Sequence, residues 1–246
     1  MYSFKNKKQK EVYNILTTTI VSNKDFDGIK MIDGVIYSGQ KYVNSTDSDM
    51  SDFTIGFYEI LYKDILDKEI LNNRGELSDN DFAGDTMNSF NTVAKKAVGL
   101  DKRKNPNDWP PYLVEFNSKY HSLCNFWLVP MEIGRTGGVK HPMSKMQACK
   151  DYVDRFLKVY SNKIEDYNKK YPNYFSKFED FNEFAKINFL EDSYVSNGQI
   201  ISFSEGRGEK IINKMIELME NRAYRIVTSE YCDELYDYFK KYGLIK

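Results

Sequence analysis

Residues 53–71 read FTIGFYEILYKDILDKEIL, and the spacing of their apolar side chains decides the class of fold. The apolar positions recur three or four residues apart and so lie on one face of a helix: Phe53, Phe57, Ile60, Leu61, Ile65 and Leu66. Such a stripe is buried against a core while the opposite face stays in water. Ser51 or Asp52 is placed to cap this helix, and the sequence NNRG at 72–75 ends it. The pattern predicts an amphipathic helix.

Helical periodicity extends outward from this segment over most of the chain. It predicts helices over residues 11–22, 85–98, 144–171, 178–190, 209–222 and 230–242. Two stretches are instead typical of extended chain: residues 31–46, which contain two glycine turn signals, and residues 193–203, which contain Asn197-Gly198. Residues 112–130 are the most apolar of the chain. Periodicity leaves helix, strand, or both in turn open for them.

The predicted fold class is mainly α, in an α+β arrangement. We expect one helical domain over residues 1–246 with a small β-hairpin or short sheet, and a helical C-terminal subdomain over 144–246 as the alternative division. The chain has 246 residues, of which 41% are hydrophobic, and this is enough for a sizeable core. Because no run approaches about 18 apolar residues, we expect no membrane partner.

Charge and cysteine content narrow the class of protein further. The 35 basic and 36 acidic residues leave a net charge of -1, so binding to nucleic acid would require a local basic patch. The three cysteines are too few for a disulfide framework. No apolar segment follows the basic residues at the start of the sequence, which indicates no secretory signal. These features predict a cytoplasmic protein.

A first candidate site is the block GDTMNSFNT at residues 84–92. It crowds small polar side chains at a predicted helix start, where Asp85 or Thr86 would cap the helix and the free amides would attract an anion. Asn88 and Asn91 lie three residues apart and share a helix face. We interpret Asp85, Asn88 and Asn91 as ligand-binding residues. The alternative is a cap with a buried amide network that ties helices together.

A second candidate site is the block YHSLCNFWLVPMEIGR at residues 120–135. The chain has only two histidines, His121 in this block and His141 just after it. Histidine transfers protons near neutral pH and also binds metals, and an asparagine four residues away can orient an imidazole. We therefore predict His121, His141 and Asn125 as catalytic residues. The alternative is a core histidine that is satisfied by a backbone carbonyl, with Asn125 in a buried turn.

Two further blocks combine glycine with basic side chains. In GRTGGVKHP, residues 134–142, a glycine-rich backbone adjoins Arg135 and Lys140 and could cradle a phosphate, although the P-loop pattern is absent. In SFSEGRGE, residues 202–209, Ser204 could cap the next helix beside Arg207, but an inter-helix turn is the preferred interpretation. We predict Arg135 and Lys140 as ligand-binding residues.

The blocks at 84–92 and 120–135 together resemble two blocks in a family of bacterial and phage proteins to which no activity is assigned. The likeness runs from about residue 52 to about residue 190. The resemblance implies a bacterial or phage origin and identifies these two blocks as the site, without implying a reaction.

The segment LCNFWLV, residues 123–129, also resembles the asparagine-bearing strand of HNH nucleases. The resemblance implies that Asp108 corresponds to the acidic metal ligand of that family. Trp109 stands where the family has its general-base histidine, so His121 or His141 would have to replace it. On this interpretation Asp108 and His121 are the metal ligands.

The residues support three classes of function. The leading prediction is the binding of a nucleotide-like or phosphate-bearing small ligand by Asp85, Asn88, Asn91, Arg135 and Lys140. The second is a divergent or degenerate HNH-like phosphodiester hydrolase that uses a divalent metal and acts on nucleic acid. The third is a protein–protein interaction module. The identity of the cofactor and the oligomeric state stay open.

Overall fold

The computed structural model describes residues 2–22, 29–32, 35–38, 48–66, 82–102, 105–130, 132–133, 139–140 and 152–246. The helices are α1 (Lys7–Thr18), α2 (Asp52–Leu61), α3 (Phe90–Lys102), α4 (Pro111–Tyr120), α5 (Val153–Asn162), α6 (Ile164–Lys170), α7 (Phe181–Ile187), α8 (Glu209–Thr228) and α9 (Cys232–Lys241). The strands are β1 (Ile20–Ser22), β2 (Ile29–Ile32), β3 (Val35–Ser38), β4 (Phe82–Thr86), β5 (Phe126–Pro130), β6 (Glu132–Ile133), β7 (Val139–Lys140), β8 (Val195–Ser196) and β9 (Gln199–Ile200). The predicted class, mainly helical with small sheets, is confirmed.

Helix α2 forms where the apolar stripe predicts a helix. Ser51 is its N-cap, and its hydroxyl accepts a hydrogen bond from the Thr54 amide at 3.3 Å. Phe53 and Phe57 on the core face are fully buried. The helix ends at Leu61 and continues as turns to residue 66, which is earlier than predicted. The predicted stop at 72–75 lies outside the described residues.

Helix α8 is the long helix on which the other elements pack. Its core face repeats apolar residues at helical spacing, among them Ile212, Met215, Met219, Ala223 and Ile226, all buried. It packs against α1 and α4 from the N-terminal half of the chain and against α9. Among the described residues, no helix is long and apolar enough to cross a membrane.

The first sheet corrects one predicted helix boundary. The helix predicted over 11–22 ends at Thr18, because Ile20–Ser22 is a strand that pairs in parallel with β3. Val21 is fully buried in this pairing, which the helical pattern alone could not reveal. The predicted hairpin is confirmed where it is described: β2 and β3 are antiparallel, with Ile32 opposite Val35.

Strands β4 and β5 overturn the helix start predicted at residue 85. They pair antiparallel with Asp85 opposite Trp127, and α3 begins only at Phe90. Asp85 and Thr86 are therefore strand residues and not helix caps.

Residues 112–130 contain a helix and a strand in turn, because α4 is followed by a short 3₁₀ turn and then by β5, which is buried on both faces.

The C-terminal region follows the predicted pattern with local differences, one of which is that the helix predicted over 209–222 continues to Thr228 as α8. The long helix predicted over 144–171 is two helices, α5 and α6, which meet at Lys163; residues 144–151 lie outside the described part of the chain. The predicted turn at Asn197-Gly198 is confirmed, and both residues have positive φ, 50° and 72°. Ser204 does not cap α8, because the N-cap is Gly208 and Ser204 instead donates to the Asp154 carboxylate at 2.8 Å.

Candidate functional site

His121 lies at the C-terminal end of α4, where the sequence predicts a catalytic histidine. Its Nδ1 lies 3.2 Å from the Ser48 hydroxyl, in the 3₁₀ turn that precedes α2. The imidazole packs against the Tyr120 ring, with centroids 4.2 Å apart, and against Phe126 at 6.0 Å. The imidazole is partly exposed, whereas Ser48 is buried. Their contact therefore joins an accessible side chain to a buried one.

Asn125 does not orient His121. Its Nδ2 donates to the Tyr120 carbonyl at 2.9 Å and to the Asn88 carbonyl at 3.2 Å. Its Oδ1 accepts from the backbone amide of Asn88 at 3.1 Å and from the Asn88 Nδ2 at 3.2 Å. Both asparagines are fully buried. The side chains form the amide network that the sequence analysis offered as the alternative, and they hold the start of α3 against β5.

The amide network continues into a buried polar centre that sequence reasoning missed. Asn88 Nδ2 donates to the Tyr194 hydroxyl at 2.8 Å. Beyond it, Arg222 of α8 is fully buried and donates through Nη1 to the carbonyls of Cys124, at 3.0 Å, and Phe126, at 2.9 Å. The sequence signal for this polar centre is Arg222, an arginine on the apolar face of a predicted helix.

Burial raises the pKa of the Cys124 thiol to about 11, so this thiol is an inert neutral group.

Asp85 lies on strand β4, opposite Trp127 of β5. It is partly exposed, and its Oδ1 accepts the Thr86 amide at 2.7 Å. Burial raises the pKa of Tyr120 to about 12, a hydrogen bond with Thr86 opposes the shift, and two carboxylates add to it. Those carboxylates are Asp49 and Asp85. These two carboxylates therefore act on Tyr120, whose ring packs against His121.

The proposed metal ligands, Asp108 and His121, belong to no larger group of metal-binding side chains in the described part of the chain. Asp108 is exposed in a 3₁₀ turn, where its Oδ2 accepts a hydrogen bond from the side-chain Nδ2 of Asn105 at 2.8 Å. A search for three or more histidine, cysteine, aspartate or glutamate side chains able to hold a metal finds none among the described residues. The Asp108–His121 metal site stays a prediction without structural support.

The remaining predicted residues fall on parts of the chain that the structure describes little or not at all. Asn91 lies in α3 and Lys140 in β7, but their side chains are outside the description. Arg135 and His141 are outside the described residues. The roles predicted for these four residues are untested.

A pocket of about 200 Å³ opens on another side of the described structure, where α7 ends near the junction of α8 and α9. Phe189 and Tyr231 supply its aromatic surface, and their rings meet edge to face at 5.9 Å. Lys186 and Arg225 supply positive charge, and the rest of the lining is Ile187, Glu191, Thr228, Ser229 and Glu230. Sequence analysis missed this pocket because its residues are separated by about 40 positions and form no local motif.

The wall of this pocket contains a strained loop and a loosely paired arginine. Phe189 and Asp192 have positive φ, 59° and 53°, which is costly for residues with a side chain. Arg225 lies 3.5 Å from Glu191 and 3.5 Å from Asp192. Both distances exceed the 2.7–2.9 Å of a charge-assisted hydrogen bond. The guanidinium is therefore held near two carboxylates without a close contact to either.

Comparison of the chain with protein-family models, with curated proteins and with solved structures finds no match. The resemblances to the bacterial and phage family and to HNH nucleases therefore stay predictions from the residues.

Proposed function

We propose that the protein binds a small phosphate-bearing ligand in the pocket between α7 and the α8–α9 junction. The predicted ligand class is unchanged from the sequence analysis, but the proposed site is different. Asn88 and Asn125 are fully buried and hydrogen-bond to each other, although Asn88 Oδ1 has no hydrogen-bond partner among the described residues. The pocket combines a cavity, two cations and aromatic surface, which are the features of a small-ligand site.

The single observation that supports the proposal is that the Arg225 guanidinium is only loosely paired. A guanidinium has five N–H donors in a planar fork that matches a phosphate or carboxylate bidentately. Within the described structure the Arg225 guanidinium makes two ion pairs at 3.5 Å and no hydrogen bond, whereas the Arg222 guanidinium donates three hydrogen bonds. Arg225 is therefore poised to donate to an anion that enters the pocket.

The other lining residues define how such a ligand would be recognised. Lys186 adds a second positive charge at the rim, and Tyr231 offers a ring for a base or other planar group. The Tyr231 hydroxyl donates to Asp64 at 2.7 Å, which fixes the ring. Glu191 opposes the ligand, because its carboxylate competes for the same guanidinium. The ligand must therefore displace the Glu191 carboxylate from Arg225, and the difference between these two interactions sets the affinity.

The test is isothermal titration calorimetry with inorganic phosphate and with AMP, at low ionic strength. Arg225→Gln should weaken binding about 10- to 100-fold, the loss expected for a charge-assisted hydrogen bond of about 1.5–3 kcal/mol. Glu191→Gln should change affinity in the opposite direction and tighten binding, because one of the two competing carboxylates is gone and only Asp192 is left.

The matched control is Arg155→Gln. Arg155 also lies on a helix and pairs with a glutamate, Glu205 at 2.9 Å, but it does not line the pocket. Its substitution should leave the affinity unchanged. Absence of heat for both ligands, or equal affinities in wild type and Arg225→Gln, would refute the proposal.

A further inference from the structure

Within the described residues, the Ser48 hydroxyl neither caps a helix nor bonds to the backbone of its own turn. The backbone of Ser48 is fixed through its carbonyl, which accepts the Thr54 hydroxyl at 2.8 Å and the Ser51 amide at 3.3 Å. The N-cap of α2 is Ser51, so the Ser48 side chain is not needed for capping. In the described structure the hydrogen-bond partner of the Ser48 Oγ is His121 Nδ1 at 3.2 Å.

His121 is held in the orientation that this contact requires. Its carbonyl accepts the Val21 amide at 3.1 Å, which ties the end of α4 to β1. Its ring lies against Tyr120 and Phe126, so aromatic contacts limit rotation of the imidazole. The ring edge that carries Nδ1 faces the serine. A base within hydrogen-bond reach of a hydroxyl and fixed by other groups is the arrangement of an activated nucleophile.

We propose that Ser48 and His121 form a nucleophile–base pair that hydrolyses small esters. This second function is independent of ligand binding at the Arg225 pocket.

The reaction follows from ordinary acyl-transfer chemistry. Ser48 Oγ attacks the ester carbonyl carbon as His121 Nδ1 takes the hydroxyl proton. The bond between that carbon and the alcohol oxygen then breaks, and the imidazolium returns its proton to the departing alcohol. Water then attacks the acyl-serine while His121 takes a proton from it. The bond between the acyl carbon and Ser48 Oγ breaks, and the imidazolium returns the proton to Oγ, which releases the carboxylic acid and restores Ser48. No oxidant, reductant or metal enters the balance.

Burial and charge restrict the substrate. Ser48 is 6% exposed while His121 is partly exposed, so only a small acyl group can reach the hydroxyl beside the imidazole. Asp49 directly follows Ser48 in the same 3₁₀ turn. Its carboxylate repels anions, and the expected substrates are neutral or cationic esters of small acids.

The test is labelling with methanesulfonyl fluoride, a small reagent, followed by peptide mass spectrometry. The nucleophile attacks sulfur and fluoride departs, which leaves a stable sulfonyl-serine. We expect the adduct on Ser48 in the wild type and none on this peptide in Ser48→Ala. His121→Gln should slow labelling about 100-fold or more, since a positioned base contributes that order of rate.

Ser118→Ala is the control, because Ser118 is an exposed serine whose hydroxyl donates to the Glu115 carbonyl at 2.7 Å. It should label at Ser48 like the wild type, and p-nitrophenyl acetate hydrolysis should follow the same order of variants. Wild-type protein with no adduct on Ser48 overturns the proposal without any variant. Equal labelling of folded His121→Gln, checked by circular dichroism, overturns the role of the base.

Discussion

Arg222 is a cation with no exposed surface, and its charge is balanced by backbone carbonyls. Nε donates to the Asn188 carbonyl at 3.0 Å, and Nη1 donates to Cys124 and Phe126. In the described part of the chain Nη2 has no hydrogen-bond partner. A buried charge is expensive unless it is hydrogen-bonded, so this residue holds three chain segments together at a high desolvation cost.

We predict that Arg222→Met destabilises the fold by about 3–5 kcal/mol. Methionine fills most of the volume but leaves three buried carbonyl oxygens without donors. Urea unfolding followed by circular dichroism measures the difference in the free energy of unfolding. The same substitution at Arg207, which is exposed, should change stability by less than about 0.5 kcal/mol. Equal stability of Arg222→Met and wild type would contradict this role.

The predicted and observed sites differ for reasons that are visible at single residues. His121 could be found because histidine is rare in this chain and carries recognisable chemistry. Ser48 lies 73 positions away and sits among other serines and aspartates, so no local pattern pairs it with His121. Arg225 resembles any cation in the last turn of a helix, and only the fold shows that it lines a pocket.

Sequence periodicity predicts a helix from residue 85, where the structure has strand β4 paired with β5. Asp85 and Thr86 have the composition of a helix cap, and the following residues do form a helix, so the start was placed too early. The strand exists because β5, which is apolar along its whole length, provides its partner. Strand pairing depends on residues far apart in sequence, whereas caps and stripes are local, and this difference explains which boundaries could be predicted.

Gly84 allows β4 to approach the turn before α2. A Cβ at this position would lie 1.9 Å from the Asp49 carbonyl oxygen, a backbone atom that cannot rotate away. We predict that Gly84→Ala destabilises the protein by about 1–3 kcal/mol or more, because strand and turn must separate. Gly206→Ala is the matched substitution: its Cβ meets the flexible Ile211 side chain, and it should cost less. Thermal unfolding of both variants gives the comparison. A smaller loss at Gly84 would show that the turn is not packed against β4.

The whole molecule is organised by contacts that join the two halves of the chain. Helix α8 packs against α1 and α4, and the buried Trp127 of β5 contacts Phe156 of α5 at 5.6 Å and Phe184 of α7 at 6.4 Å. The elements over 153–241 therefore share a hydrophobic core with the N-terminal elements. This favours one folding unit over a separate subdomain at 144–246, since independent subdomains bury little surface against each other.

We accordingly predict a single cooperative unfolding transition. The chain has two tryptophans, so a Trp109→Phe variant leaves Trp127 as the reporter of the shared core. Its fluorescence should change at the same urea concentration as far-ultraviolet circular dichroism, which follows the helices of both halves. Wild-type circular dichroism is the control for the substitution, because Trp109 is only partly buried. If the helical signal instead falls in two steps, with Trp127 following only one of them, then residues 144–246 form a separate unit and the contacts of Trp127 with α5 and α7 do not couple the halves.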